Sequence, residues 1–232
     1  MFHGGGNFDS RKWIGQVGGL LEAFYPGQNG GQALAEILFG AVNPSGKLPV
    51  TFEKRFEDNP AYPTFPKAIN THPGVIAYSE GIFVGYRGYE KNHVQPLFPF
   101  GYGLSYTKFQ YSGITVTPAV FDGTHPVTVS FTVTNTGSRA GAEIAQLYVG
   151  ETNPSVPRPL KELKGFDKVS LEPGQSQTVT LQLNQRSFAF FNTNKHLWDA
   201  EPGKYIVSVG ASSEDIRLTG QVMLNLDFTS SP

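Results

Sequence analysis

The stretch that decides the fold runs from Val127 to Gly137 and reads VTVSFTVTNTG. Apolar residues at alternate positions are separated by threonine and serine, and this period of two is typical of a strand with one buried and one exposed face. Residues 135–137 (NTG) then favour a turn, because asparagine and glycine accept the backbone angles that turns require. The stretch therefore predicts an antiparallel β-structure.

The same alternation returns three times further along the chain. The repeats are Ala145, Leu147 and Val149; Val179, Leu181 and Leu183 after residues 172–174 (EPG); and Tyr205, Val207 and Val209 after residues 201–203 (EPG). Strands separated by turn signals, with no helical pattern between them, are typical of a β-sandwich. We expect a sandwich of about seven strands within residues 113–228 and a mainly β fold class.

Residues 11–41, upstream of the sandwich, carry a helical pattern. Apolar residues recur at three- and four-residue spacing from Trp13 to Phe24 and again from Ala33 to Leu38, and turn residues follow each run. Residues 47–52 look extended. Two helices and one extended segment are too little for an independent α/β domain, so residues 1–52 are expected to be the last piece of one.

The middle of the chain, residues 53–112, is expected to connect these two parts. Residues 53–77 are rich in proline and charge without a clear period, which predicts a surface connection. From residue 78 onward bulky rings alternate with glycine, which favours extended chain. The predicted division is therefore 1–52, 53–112 and 113–232.

Composition excludes several classes of protein. The 18 Lys and Arg balance 19 Asp and Glu and lie scattered along the chain, which argues against a nucleic-acid partner. The absence of cysteine excludes disulfides and thiolate metal sites. No apolar run approaches the ~18 residues of a membrane span, and no export signal is visible at the first residues. We expect neither nucleic acid nor membrane as a partner.

Four strings, in order, make the chain resemble the C-terminal portion of family 3 glycoside hydrolases of the β-glucosidase type. They are residues 24–52, which begin FYPGQ and end NPSGKLPVTF; residues 80–106, which begin EGIFVGYR and end PFGYGLSY; residues 133–149, from VTNTG to QLYV; and residues 158–166, RPLKELKGF. The first is similar to the end of the family's α/β sandwich domain and the second to the connection that follows it. The last two resemble its fibronectin type III-like domain.

The resemblance implies a parent enzyme that is a retaining glycosidase. Its barrel domain would supply an Asp nucleophile and its α/β domain a Glu acid/base, two carboxyl groups about 5 Å apart. No residue of this chain matches either position, so the resemblance implies a non-catalytic region that is inactive alone and stabilises the catalytic domains. It implies no cofactor, and a periplasmic or secreted parent.

Two other functions are weighed against this one. His3-Gly4-Gly5-Gly6 is like the oxyanion-hole string of some esterases, with Ser105 as the candidate nucleophile, but residues 103–107 (GLSYT) lack the closing glycine of a nucleophile elbow. A carbohydrate-binding module is the other alternative. It would use an exposed row of rings drawn from Trp13, Trp198, Tyr86, Tyr89 and Tyr102, although packing explains these rings equally well.

The remaining candidate sites favour structural interpretations. Gly40 to Lys47 resembles a phosphate loop but has five residues between its glycines and Leu48 in place of a hydroxyl. Glu80 has no partner carboxylate and is expected to hydrogen-bond Arg87. The histidines, His3, His72, His93, His125 and His196, show no metal-ligand spacing, so no metal is expected. Arg158 and the pair Lys161-Glu162 are expected to make charged contacts between domains.

Residues 11–41 also raise a question of partners. The apolar side chains expected on their helices, Leu20, Leu21, Phe24, Leu34 and Leu38, would lose the strands that cover them in a complete α/β domain. An exposed apolar face of this kind is usually an interaction site. The expected occupants are the missing domains of the parent or, without them, a second copy of the chain.

Overall fold

A computed structural model describes residues 1–65, 77–225 and 227–230. It divides into two compact units, residues 1–104 and residues 105–232, which we call the N-unit and the C-unit. The first strand of the C-unit begins at Phe109, four residues before the start that the sequence suggested. The three-part division of the chain stays a prediction.

The C-unit is built of strands. They are β1 Phe109–Thr117, β2 Val120–Phe121, β3 Val127–Asn135, β4 Gly141–Glu151, β5 Glu162–Leu171, β6 Ser176–Leu183, β7 Phe190–Asn192, β8 Leu197–Ala200, β9 Gly203–Gly210, β10 Ile216–Leu224 and β11 Phe228–Ser230. A three-stranded sheet has the order β1-β3-β6, and a five-stranded sheet has the order β2-β10-β9-β4-β5. A second three-stranded sheet has the order β11-β8-β7. The mainly β fold class is confirmed.

The core of the C-unit follows the alternation seen in the sequence. Every second residue of β3, from Val127 to Asn135, is buried. The residues that alternate in β4 and β9 join the same apolar cluster, since Leu147 and Val207 are fully covered. The period of two in the sequence therefore predicted correctly which residues of these strands are buried.

The N-unit has little regular structure. Its helices are α1 Gly30–Leu38 and α2 Tyr86–Lys91, with short 3-10 turns at Ile14–Gln16 and Phe56–Asp58. Isolated bridges join Phe2 to Glu22 and Phe52 to Phe98. The segment that the sequence placed between residues 53 and 77 falls partly on residues 66–76, which lie outside the described ranges.

The first predicted helix, from Trp13 to Phe24, is wrong. Only the 3-10 turn Ile14–Gln16 forms, and residues 18–24 are irregular apart from a bridge at Glu22. The N–H of Phe2 donates to Leu21 and the N–H of Ala23 donates to Phe2, so this part adds a parallel bridge instead of a helix. Two consecutive glycines cost a helix about 2 kcal/mol relative to alanine, and the bridge uses the backbone groups that the helix would need.

The second predicted helix is confirmed, whereas the extended chain expected beyond residue 78 is interrupted by α2. Gly85 precedes α2 with a positive φ of 55°, which turns the chain into the helix. A Cβ at Gly88 would lie 2.2 Å from the Phe83 carbonyl oxygen and 2.5 Å from Pro60. The glycines that looked like spacers between rings thus allow a tight helical turn to pack closely.

Candidate functional site

The residues of the esterase alternative take part in local structure. Ser105 Oγ accepts a hydrogen bond of 3.3 Å from the N–H of Thr107, which is a serine turn. His3 is exposed in the N-unit. The contact with Thr107 gives Ser105 a place in a turn, so the arrangement favours the structural interpretation.

The segment that resembled a phosphate loop pairs with another stretch of backbone. The N–H of Leu48 donates to the Tyr102 carbonyl at 2.8 Å, and the N–H of Gly101 donates to the Leu48 carbonyl at 2.8 Å. A Cβ at Gly103 would lie 2.2 Å from the Gly46 carbonyl oxygen. Residues 46–48 are therefore held against residues 101–103, which gives this segment a structural role.

The polar candidates do not assemble into a metal or acid/base site. Glu80 Oε2 is buried without a hydrogen-bond partner among the described residues, so the expected bond to Arg87 is not made at this oxygen. His3, His93, His125 and His196 are exposed, and His72 lies outside the described residues. Within the ranges that the structure covers, no three His, Cys, Asp or Glu side chains gather closely enough to hold a metal ion. Among the same residues, none of the helices combines the length and the apolarity that crossing a bilayer requires.

The five rings considered for carbohydrate stacking are packed against protein groups. Trp13 stacks on Phe8 at 5.8 Å, Tyr86 on Phe100 at 5.0 Å and Tyr102 on Phe98 at 5.4 Å, measured between ring centroids. The Arg186 guanidinium carbon lies 3.3 Å from the Trp198 ring centroid, and Tyr89 is buried. They form no exposed row, so the packing interpretation accounts for most of them.

Arg158 forms the most developed electrostatic site of the C-unit. Its guanidinium Nη1 lies 2.6 Å from Glu151 Oε2, and the two side chains are only 6% and 3% exposed. Its Nη2 donates to the Phe188 carbonyl at 3.1 Å and lies 3.7 Å from Glu162. The expectation that Arg158 makes contacts between domains is therefore corrected, because its partners lie within the C-unit.

Burial shifts the pKa values around Arg158. Desolvation raises the pKa of Glu151, and the charge of Arg158 opposes that shift. Desolvation likewise lowers the pKa of Lys164, which lies 3.3 Å from Glu162. The cluster holds the connection between β4 and β5 against the sandwich. Its charged groups pair with one another, Arg158 with Glu151 and Glu162, and Lys164 with Glu162.

The N-unit leaves much of its apolar surface uncovered. A groove of about 540 Å³, which we call the apolar groove, is lined mainly by aliphatic and aromatic side chains, among them Phe8, Leu20, Leu21, Phe24, Ile37 and Phe98. Helix α1 has no buried residue, and Leu38 and Phe39 are 61% and 89% exposed. Among the described residues of this unit, the buried apolar side chains are those of Phe52, Tyr89 and Pro96 alone.

Comparisons with known proteins account for both units. Residues 1–106 match the model of the glycosyl hydrolase family 3 C-terminal domain, and residues 143–213 match that of the fibronectin type III-like domain. The chain belongs to glycosyl hydrolase family 3. The resemblance to its C-terminal part, inferred from the four sequence strings, is confirmed.

Individual family 3 relatives agree. Thermostable beta-glucosidase B of Acetivibrio thermocellus is 48% identical over 213 residues, which cover 92% of this chain and 28% of the relative. The structure of beta-glucosidase 3B from Thermotoga neapolitana in complex with α-D-glucose superposes with a TM-score of 0.87 at 40% identity and covers 97% of this chain and 30% of that one. The beta-glucosidase of Kluyveromyces marxianus gives a TM-score of 0.89 at 39% identity over 98% of this chain and 26% of its own.

The chain thus spans roughly a quarter to a third of the length of the family 3 proteins that it matches. Sequence reasoning found the family and the apolar residues of the groove. It missed the Arg158–Glu151 pair, because two residues seven apart on either side of a turn carry no periodic signal. It also missed a second, polar pocket of the N-unit, whose walls come from five separate segments.

Proposed function

We propose that this chain is the non-catalytic C-terminal region of a β-glucosidase-type glycosidase and stabilises the catalytic domains of that enzyme. The observation that carries the proposal is the unequal burial of the two units. The C-unit has a closed apolar core, whereas the N-unit exposes the apolar face of α1 and leaves the apolar groove open. An apolar surface of this size on a folded protein is an interaction site.

The preceding part of the α/β domain of the parent is the proposed occupant of the groove. The parallel bridge between Phe2 and Glu22 supports this choice, because a parallel pair is stable only within a larger sheet that is covered on both faces. Glu22 Oε2 is buried in the groove without a partner among the described residues, so the occupant should bring a hydrogen-bond donor to it. The glycosidase chemistry would come entirely from the parts of the parent that supply the two carboxylates.

Two further partners are weighed, one for each unit. Without the parent's other domains, the exposed face of α1 would drive a second copy of the chain to associate through residues 11–41. Carbohydrate is a weaker candidate as a partner of the C-unit, since Trp198 is covered by Arg186 and meets Phe191 edge-on.

The test is complementation between separately produced parts. The chain is mixed with the preceding domains of a family 3 β-glucosidase, and hydrolysis of p-nitrophenyl β-glucoside is measured against each part alone. We expect activity only in the mixture, and we expect Leu38→Asp to reduce it because a carboxylate on the α1 face cannot be buried. Gln32→Lys, a charge change on another face of the same helix that keeps a partner in Glu36, is the matched control.

Three results would contradict the proposal. Glucoside hydrolysis by the chain alone would show that it carries its own carboxylates. Equal loss in Leu38→Asp and Gln32→Lys would show that the α1 face is not the contact. Cleavage of p-nitrophenyl acetate that disappears in Ser105→Ala would favour the esterase alternative.

A further inference from the structure

The sheets of the C-unit end in strands whose outer backbone groups have no neighbouring strand. Such an edge can pair with another chain, and natural sheets protect their edges with charges, proline, bulges or very short strands. The edge strands of the three sheets are β1 and β6, β2 and β5, and β7 and β11. In the described part of the unit, every one of these strands except β6 is protected.

The protected edges use different means. Strands β2, β7 and β11 are only two or three residues long. Strand β5 carries two acidic and two basic side chains. Strand β1 has a bulge between Ser112 and Thr115, where Gly113 takes a positive φ of 66°. Arg217 also donates to the Phe109 carbonyl of β1 at 2.7 Å, so part of this edge is already occupied.

Strand β6, Ser176–Leu183, has none of these protections. Its sequence, SQTVTLQL, contains no charge, no proline and no glycine. It runs for eight residues, which is roughly 27 Å at about 3.4 Å per residue. Within the described ranges it pairs with β3 alone, and its register with β3 shows no bulge. A long, uncharged edge of this kind is a site where a further strand adds.

The side chains of β6 suit such an addition on both faces of the sheet. On the outer face, the hydroxyls of Thr134 and Ser176 lie 2.7 Å apart and those of Ser130 and Thr180 lie 3.0 Å apart. Cross-strand pairs of threonine and serine stabilise a sheet, so a neighbour rich in the same residues would extend this ladder. On the inner face, Leu181 packs against the core but stays partly exposed, and an added strand would cover it further.

The occupant that this edge fits best is a second copy of β6. Two identical strands can pair antiparallel about a twofold axis, and each then supplies the same groups to the other. Like charges directly opposite each other destabilise a strand pair, and β6 brings no charge to the axis. Because the β1 edge of the same sheet is protected, the pairing leaves no free edge and ends at two copies.

We propose that β6 pairs antiparallel with β6 of a second copy and joins two β1-β3-β6 sheets into one sheet across a twofold axis. Pairing along one strand buries less surface than the ~1,600 Å² of a standard interface, so the dimer is weak and depends on chain concentration. This inference goes beyond the proposed function and does not rest on it. Strand β6 belongs to the C-unit, whereas the exposed face of α1 belongs to the N-unit.

Sedimentation velocity of the full chain, from micromolar to millimolar concentration, tests the proposal. Each chain carries Leu38→Asp, so that association through the α1 face does not contribute, and we expect a monomer–dimer equilibrium. Thr178→Lys should raise the dissociation constant about tenfold, because the twofold axis brings two lysines into one short ladder and like charges across an interface repel. Thr115→Lys is the matched control, since it makes the same change at an exposed threonine on the protected β1 edge and should leave the constant unaltered.

Amide hydrogen exchange supplies a second measurement that needs no substitution in β6. Along an antiparallel strand, alternate residues direct their N–H groups to opposite sides, so about half of the β6 amides face β3 and the others face the free edge. The amides at the free edge should become protected as the chain concentration rises, while those facing β3 stay protected throughout. Should Thr178→Lys fail to fold, this measurement decides by itself.

The inference is overturned if the chain sediments as a monomer at every concentration, or if Thr178→Lys and Thr115→Lys change the dissociation constant equally. Edge amides of β6 that exchange equally fast at low and high concentration would also overturn it, as would species that grow beyond two copies. A chain that complements the catalytic domains yet never dimerises would refute this pairing alone. A chain that dimerises through β6 without complementing would refute the structural role alone.

Discussion

Replacing Arg158 by methionine is the sharpest test of how the C-unit is held together. The guanidinium and the Glu151 carboxylate are both almost completely covered, with 6% and 3% of the side chains exposed. Methionine keeps much of the apolar volume but leaves the carboxylate in a buried place without its cation. Breaking a buried pair in this way costs about 3–5 kcal/mol, far more than the ~0–1 kcal/mol of an exposed pair.

Urea unfolding followed by tryptophan fluorescence measures this loss, in a Trp13→Phe background where Trp198 is the remaining tryptophan. With a urea dependence of about 2 kcal/mol per molar, the midpoint should fall by about 2 M. Lys168→Met is the control, because Lys168 is exposed on β5 and its loss should change the midpoint little. The double variant Glu151→Gln/Arg158→Met should be more stable than Arg158→Met alone, since no unpaired charge remains.

The same variant should show a characteristic pH dependence. Burial raises the pKa of Glu151 in the folded chain, so folding favours the protonated carboxyl. Its contribution to stability is then fully present below the ordinary carboxyl range and is lost as the pH rises through the folded pKa. The cost of Arg158→Met should therefore shrink as the pH is lowered toward that range. A cost below ~1 kcal/mol at neutral pH, or one equal to that of Lys168→Met, would refute the assignment of a buried pair.

Three further outcomes follow from the C-unit. Phe131→Ala, at a residue 1% exposed in the middle of β3, should destabilise the unit by about 3–5 kcal/mol in calorimetry, and a loss under ~1 kcal/mol would place Phe131 outside the core. Gly150→Ala should lower the free energy of unfolding by about 1–3 kcal/mol, because its Cβ would lie 1.9 Å from the Leu160 carbonyl oxygen. Gly165→Ala, whose Cβ would meet its nearest neighbour, the Leu181 side chain, at 3.8 Å, should be tolerated, and equal effects of the two would contradict the close approach at Gly150. The hydrogen bond from Lys195 lowers the pKa of Asp199, so the pair stabilises the fold above the ordinary Asp pKa near ~3.9, and this stabilisation is lost as the pH falls. The difference in urea midpoint between the unmodified chain and Asp199→Asn should therefore shrink below about pH 4. A constant difference would count against the pair.

The comparison between sequence and structure is instructive in the N-unit. The apolar spacing from Trp13 to Phe24 is helical, yet Gly18 and Gly19 interrupt it and the backbone of Leu21 and Ala23 pairs with Phe2. The periodicity showed only which residues are apolar. The backbone conformation was set by the hydrogen bonds of Leu21 and Ala23 with Phe2. Conversely, Gly85 and Gly88 looked like spacers in an extended segment and prove to be the residues that let α2 form.

The amino-acid sequence by itself determined the mainly β fold class and the family. Alternation along a strand and the strings typical of the family are local properties, so they can be identified from the order of the residues alone. The tertiary structure alone decided which charges are buried against each other and which separate segments line a common pocket. Arg158 and Glu151 pair because the chain turns between them, and the walls of the polar pocket come together because distant segments pack. Desolvation and hydrogen bonding depend on those distances in space, and spacing along the chain does not encode them.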